Sequence, residues 1–327
     1  MKSFTHVNVR TIDEACEMLE KYSGKARLKA GGTDLLLVLK DDILPEYPRT
    51  LINLMEIDDL AYIREEKEYL KIGALTTLRD IACSAILQER YGVLAEAALS
   101  VASPQIRNVA TIGGNLCQDV RCWYYRYSSK IGGPIKCLRK GNGPCLAIKG
   151  DNRYHAIIGG KRCFAVCPSD TAVALAALDA LVTVTGPAGD RDIAVQDIYH
   201  PLGISIKNNE MIREISIPIV KAKETNQKFI KFTLRKPVDY AIVSVASIIT
   251  LKDGICNDAR IVLGAVAPGP YRALEAEALI IGNPITEGNV AKAAEQALSG
   301  AKPLSKNGYK IQIAKTLIKR SIESGGK

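Results

Sequence analysis

Six of the nine cysteines, Cys117, Cys122, Cys137, Cys145, Cys163 and Cys167, fall within 51 residues, whereas Cys16, Cys83 and Cys256 are scattered. In a reducing compartment, thiols this dense suit metal ligation better than a disulfide framework. The same stretch concentrates charge: from Arg121 to Cys163 ten lysines and arginines stand against one acid, Asp151, while the other 284 residues carry 34 bases and 34 acids. The formal net charge of +9 is therefore a property of one 43-residue segment. Two glycine pairs form the second feature, Ala30-Gly31-Gly32-Thr33-Asp34 and Thr111-Ile112-Gly113-Gly114-Asn115. Paired glycines remove side-chain bulk and let backbone N–H groups converge on an anion such as a pyrophosphate. Neither GxGxxG after a first strand nor GxxxxGK[ST] occurs, so a Rossmann site and a P-loop are both unsupported.

The elements around these residues read as a mixed fold. Thr11 to Tyr22 reads as a helix with Ile12, Ala15, Cys16 and Leu19 on one face and a capping box of Thr11 with Glu14. Ala26 to Ala30 reads as a strand, the first glycine pair as a turn, and Leu35 to Leu39 as a short helix. Leu51 to Leu54 and Tyr69 to Ile72 read as strands, and Leu78 to Leu99 as helical pieces. Periodicity lapses from Cys122 to about Gly160. A strand is expected over Cys163 to Val166, then a helix over Ser169 to Ala180 capped by Ser169. Strands at Met211 to Ile217, Phe229 to Leu234, Val243 to Leu251 and Ala259 to Val266 precede helices at about 272–281, 287–299 and 306–322. Strands followed by helices, without regular βαβ alternation, predict an α+β chain of two domains, divided at 220/221. No apolar stretch follows the amino-terminal lysine as a secretory signal would require, and none approaches the ~18 residues of a membrane span, so a cytoplasmic location is expected.

Lys29 to Leu36, then Ala102 to Leu116, then Pro168-Ser169-Asp170, resemble in order the motifs of the FAD-binding medium subunits of molybdenum hydroxylases, the xanthine dehydrogenase and carbon monoxide dehydrogenase family. Lys231 to Ala241 resembles the start of that family's C-terminal domain, so the likeness runs nearly end to end. It implies an FAD-binding domain of the PCMH type, with two α/β subdomains, over residues 1–220. Residues 221–327 would form a C-terminal domain of the CO dehydrogenase flavoprotein type, a three- or four-stranded antiparallel sheet with helices. It further implies that Lys29, Ala30, Gly31, Gly32, Thr33, Asp34, Leu35 and Leu36 wrap the FAD pyrophosphate. Thr111, Ile112, Gly113, Gly114 and Asn115 would form the wall beside it. Val101 would pack near the adenine, Asp170 would hydrogen-bond within the site, Ile212 would line it, and Lys231 would stand by the isoalloxazine. A cation there stabilises the anionic reduced flavin; without the resemblance Lys231 reads equally as a solvated strand lysine.

In ordinary members of that family the GGN loop lies close to the SD motif, whereas here Asn115 and Asp170 are 55 positions apart. Most of 122–163 therefore reads as an insertion. Asn115 to Cys122 and the later cysteines resemble one branch, the β subunit of 4-hydroxybenzoyl-CoA reductase, which implies an additional [4Fe-4S] cluster in the insertion. Cys117 and Cys167 abut the two flavin motifs. Within the expected strand, Cys163 and Cys167 stand roughly 13 Å apart, too far to share one cube without a bend. Cys122, Cys137, Cys145 and Cys163 are thus the expected ligands, with Cys167 the alternative to Cys163. Structural zinc and buried free thiols remain open readings, although no CxxC knuckle is present. His155 reads as a loop histidine in preference to a ligand. Trp123, Tyr124, Tyr125, Tyr127 and Tyr154 among basic residues also fit a nucleic-acid surface, but cysteines at these positions form no recognised nucleic-acid module.

No residues here suggest a catalytic centre for a carbon substrate. The resemblance implies an electron-transfer subunit with two kinds of partner, a molybdopterin-binding large subunit and a small subunit with two [2Fe-2S] clusters, in a dimer of heterotrimers. Electrons would enter from ferredoxin, steered by the basic segment, for reductive removal of a phenolic hydroxyl from an aromatic acyl-CoA. The rival direction is oxidation of a purine or other heterocycle.

Overall fold

The computed structural model describes residues 1–22, 24–219, 225–236 and 238–323. The chain opens with β1 (Thr5–Asn8), α1 (Ile12–Tyr22), β2 (Ala26–Lys29), α2 (Leu35–Lys40) and β3 (Thr50–Asn53). The strands form a parallel sheet ordered β1-β3-β2, and parallel neighbours need crossovers, which the two helices provide. This corrects the expectation of no βαβ alternation. Strand β1 is only four residues long and mostly exposed, so it carries no apolar signature. Half of the expected capping box is present: Glu14 N–H donates to Thr11 Oγ1 at 3.1 Å, while the Glu14 carboxylate accepts from Arg10 N–H at 2.7 Å in place of Thr11 N–H.

Next come β4 (Ile63–Glu65), β5 (Tyr69–Gly73), α3 (Leu78–Cys83), α4 (Ala85–Arg90), α5 (Gly92–Leu99), α6 (Pro104–Arg107), α7 (Ile112–Leu116) and α8 (Asp170–Ala177). They are followed by β6 (Leu181–Gly186), β7 (Gly189–Ala194), the hairpin β8 (Tyr199–His200) and β9 (Gly203–Ile204), and β10 (Met211–Pro218). An antiparallel sheet runs β4-β5-β10-β6-β7. Ser169 caps α8 by accepting from Ala172 N–H at 3.0 Å, and all eight residues of the helix are buried. Its alanines let it pass close to α5, β12 (Val243–Lys252) and β13 (Ile255–Gly264).

Those two strands pair with β11 (Thr225–Phe232) and β14 (Tyr271–Arg272) in an antiparallel sheet ordered β11-β12-β13-β14. Helices α9 (Leu274–Ile280), α10 (Glu287–Gln296) and α11 (Tyr309–Glu323) pack on one face. Strand β12 is apolar along most of its length because both its faces are covered. Ala246 and Ile248 join the core around α8, while Val243, Val245 and Ile249 join the core around α11. The α+β class and the four-stranded C-terminal sheet agree with expectation. The division expected at 220/221 lies at residues 220–224, outside the described residues, as does Pro237 of the C-terminal motif.

Between α7 and α8 the described chain forms no strand and no α-helix, only a 3-10 turn at Leu138–Lys140. The strand expected over Cys163 to Val166 reduces to one bridge, Val166 with Arg121. Side chains replace the missing ladder. Trp123 Nε1 donates to Asp151 O at 2.9 Å, Asn152 Nδ2 to Ala147 O at 3.0 Å, and Asn307 Nδ2 to His155 O at 3.1 Å. Backbone polar groups in this irregular segment are thereby satisfied without periodic structure.

Candidate functional site

A cavity of about 510 Å³ opens between the amino-terminal sheet, α7 and the end of β11. That volume is in the range of ordinary ligand clefts. Its walls include Ala30, Gly31, Gly32, Thr33 and Asp34 from the turn before α2, Leu35 at the start of α2, and Thr111, Gly114 and Asn115 at the start of α7. Val101, Asp170 and Lys231 also line it. Glycine is required where the two loops meet, because a Cβ on Gly31 would stand 1.9 Å from the Val109 carbonyl oxygen. A Cβ on Gly114 would face Ala30 at 4.0 Å, so the glycine pairs lie side by side. The cradle this leaves has backbone and little side chain, which suits a pyrophosphate. Asn115 ties it to α8 by accepting from Ser169 Oγ and Thr171 Oγ1, each at 2.6 Å.

Lys231 is not a solvated strand lysine. Its Nζ lies 2.6 Å from Asp170 Oδ2 and donates to Ser100 O at 3.0 Å, and both side chains of the ion pair are buried. Burial pushes the Asp170 carboxyl above its ordinary range, against the pull of Lys231. The pair presents a cation and a carboxylate to the cavity in a setting that strengthens their hydrogen bonds.

Five expected residues stand back from the cavity. Lys29 Nζ donates to Asn53 Oδ1 at 3.1 Å. Leu36 packs over Gly32, Gly113 packs on Ala74, and Ile112 is in the core. Ile212 is also a core residue of β10, so its side chain does not line the cavity. Each neighbours a lining element in sequence but faces the other way, as helix and strand periodicity requires. Sequence reasoning missed Ile206, Lys207 and Asn208 after β9, whose polar turn composition carries no signal. It also missed the lining roles of Asp239 and Tyr240, although both belong to the motif begun by Lys231.

Cys122, Cys137, Cys145 and Cys163 converge on a second, smaller cavity walled by Tyr124, Tyr125, Leu138, Leu146, Ala147 and Ala165, with Arg139 at its edge. Burial pushes the Cys122 thiol up to about 12 and raises that of Cys163. Cys117 and Cys167 are elsewhere: Cys117 lines the large cavity, and Cys167 lies beside Pro168 and Asp170. Among the described residues no three His, Cys, Asp or Glu side chains close up as they would around a single metal ion. His155 Nε2 is 3.2 Å from Cys122 Sγ, outside the ring of four thiols. Desolvation lowers the His155 pKa to about 4, so the buried ring is neutral.

Arg121, adjacent to Cys122, reaches Tyr240, which lines the large cavity. Its guanidinium donates to Ala241 O at 2.6 Å and lies 4.6 Å from the Tyr154 ring centroid and 5.6 Å from that of Tyr240. The insertion also grips α2. Ser128 Oγ and Ser129 Oγ donate to the Asp41 and Asp42 carbonyls, and Val38, Ile43, Val120, Tyr125, Cys137 and Cys163 share one apolar cluster.

Residues 2–220 match the family model of the FAD binding domain in molybdopterin dehydrogenase, and residues 228–324 that of the CO dehydrogenase flavoprotein C-terminal domain. The chain is 35% identical over 325 residues to the aldehyde oxidoreductase FAD-binding subunit PaoB of Escherichia coli strain K12, with 96% of each covered. It is 28% identical to the carbon monoxide dehydrogenase medium chain of Afipia carboxidovorans, covering 98% of this chain and 96% of that one. Its fold is similar to the solved carbon monoxide dehydrogenase of Hydrogenophaga pseudoflava that lacks the Mo-pyranopterin moiety of the molybdenum cofactor. There the TM-score is 0.79 at 27% identity, over 99% of this chain and 97% of that one.

Proposed function

The chain belongs to the family of FAD-binding medium subunits of the molybdenum hydroxylases, and from that premise we propose that it is an electron-transfer subunit with two redox sites. FAD would occupy the large cavity between the glycine pairs, and a [4Fe-4S] cluster would bind Cys122, Cys137, Cys145 and Cys163. The observation that carries the second site is the convergence of four thiols from separate loops on one shared cavity. Four thiols around one void are the donor set that a polynuclear centre held at its corners requires.

When bound, the cluster supplies one-electron chemistry and the flavin one- or two-electron chemistry. The chain's own contribution is positional and electrostatic. The glycine pairs admit the pyrophosphate, Lys231 and Asp170 stand where they can bond the flavin, and Arg139 offsets the negative charge of four thiolates. With the Cys122 thiol at about 12 in their absence, loading iron displaces protons. The surrounding lysines and arginines offer a docking surface to an acidic, ferredoxin-like carrier.

The carbon chemistry would belong to a molybdopterin-binding large subunit, reached through a small subunit with two [2Fe-2S] clusters, in a cytoplasmic dimer of heterotrimers. The domain division at 220/221 is part of this reading. No helix among the described residues is long and apolar enough to cross a membrane. Reductive dehydroxylation of an aromatic acyl-CoA is supported by the resemblance of Asn115 to Cys122 and the cysteine-bearing insertion to 4-hydroxybenzoyl-CoA reductases. A second direction, oxidation in the partner subunit, is favoured by the 35% identity to the aldehyde oxidoreductase subunit. The deciding measurement on the redox sites is iron and flavin analysis, with an absorbance spectrum, of the full chain purified anaerobically. About four irons per FAD is expected. FAD without iron overturns the cluster, and a colourless protein overturns both sites.

A further inference from the structure

We infer that His155 tunes the reduction potential of the four-cysteine centre by donating an N–H hydrogen bond to the Cys122 sulfur. This rests on the reading that Cys122 is a cluster ligand. His155 Nε2 lies 3.2 Å from Cys122 Sγ, and the residue is 1% exposed, so water does not compete for the contact. The other ring nitrogen, Nδ1, is buried without a hydrogen-bond partner. The neighbouring Asn152 carbonyl is taken up by the His155 amide at 3.0 Å.

An imidazolium donates from both ring nitrogens, so its Nε2 meets the sulfur with a proton in any case, and a neutral ring has one N–H to place. On Nδ1 that proton would be an unpaired buried donor, and the Nε2 lone pair would face an electron-rich sulfur. On Nε2 it points at a thiolate, and only an acceptor is left unpaired. Pairing the donor selects the second tautomer. The ring is also held in place. The His155 carbonyl accepts from Asn307 Nδ2 and from Lys310 Nζ, each at 3.1 Å. The ring packs against Trp123 and Tyr124 with centroids 6.2 and 6.0 Å away. A donor fixed on a ligand sulfur favours the more electron-rich state of the centre and so raises its potential. His155 is thus a positioning residue that acts through Cys122.

The test is a redox titration, read by the magnetic resonance signal of the reduced cluster, of the full chain purified anaerobically. His155→Leu removes the donor, and His155→Gln retains an N–H. The expected result is unchanged iron and FAD content in both variants, with the ratio of reduced to oxidised cluster at a fixed solution potential about tenfold lower in His155→Leu. His155→Gln recovers most of that ratio. Unchanged potential in His155→Leu with iron retained overturns the inference. Loss of iron from both variants overturns it as well, because His155 would then be needed to hold the centre and not to tune it. A wild-type chain that binds no iron overturns instead the four-cysteine reading beneath it.

Discussion

The Arg126 guanidinium lies 2.8 Å from the Asp34 carboxylate and joins the cysteine-rich insertion to the first glycine turn. Both side chains are mostly buried, and the same guanidinium donates to the carbonyls of Asp119 and Val120 at 2.6 and 2.8 Å. Asp119 N–H donates to the other Asp34 oxygen at 2.8 Å. The turn proposed to hold the FAD pyrophosphate is therefore braced by the segment proposed to hold the cluster. Arg126→Ala should release the turn at a cost of about 1–2 kcal/mol, weakening FAD binding roughly tenfold without changing iron content. A fluorescence titration of FAD checks this, and unchanged affinity would show that α2 holds the turn unaided.

Gly31→Ala should abolish flavin retention. Its Cβ would fall 1.9 Å from the Val109 carbonyl oxygen, so the glycine loops must separate. The flavin band near 450 nm in purified protein reports the outcome, and far-ultraviolet circular dichroism distinguishes a lost site from a lost fold. A variant with full flavin would mean the loops can part without harm to the cradle.

The assignment of the fourth thiol separates two neighbours in sequence. Cys163→Ser and Cys137→Ser should lose the cluster's iron and retain FAD. Cys167→Ser should retain iron, because Cys167 lies beside Pro168 and Asp170 and is not among the residues around the four-thiol cavity. Iron analysis of the three variants decides it, and the reverse pattern for Cys163 and Cys167 would exchange their roles.

Lys310 gives the fold a pH dependence of definite sign. It is fully buried, donates to the carbonyls of His155 and Ala265, and burial pushes its pKa down to about 7. Between about pH 7 and the ordinary lysine range of about 10.4, the unfolded chain binds a proton that the folded chain does not. Stability therefore rises with pH through that window, and the full cost of burying the cation is present below it. Thermal melts of wild type and Lys310→Met from pH 6.5 to 9.5 should show wild type gaining on the variant as pH rises. A constant difference would mean that Lys310 keeps its ordinary pKa when folded.

Much of this molecule is written locally. The glycine pairs, the +9 confined to 43 residues and the thiols crowded beside it follow from composition and short-range spacing alone. So do the caps at Thr11 and Ser169, because each depends on neighbours within one turn. Other features depended on chain reversals that no local period encodes. Only the folded chain sets Lys231 against Asp170, 61 positions away, and Arg126 against Asp34, and it turns Ile212 into the core. It also gathers Cys122, Cys137, Cys145 and Cys163 around one cavity, leaves Cys167 out, and puts His155 on the Cys122 sulfur. The insertion has no periodic structure, so its side chains are placed by long-range hydrogen bonds to partners such as Asn307 and Lys310. Sequence determined which chemistry was available, and tertiary packing decided which groups meet to perform it.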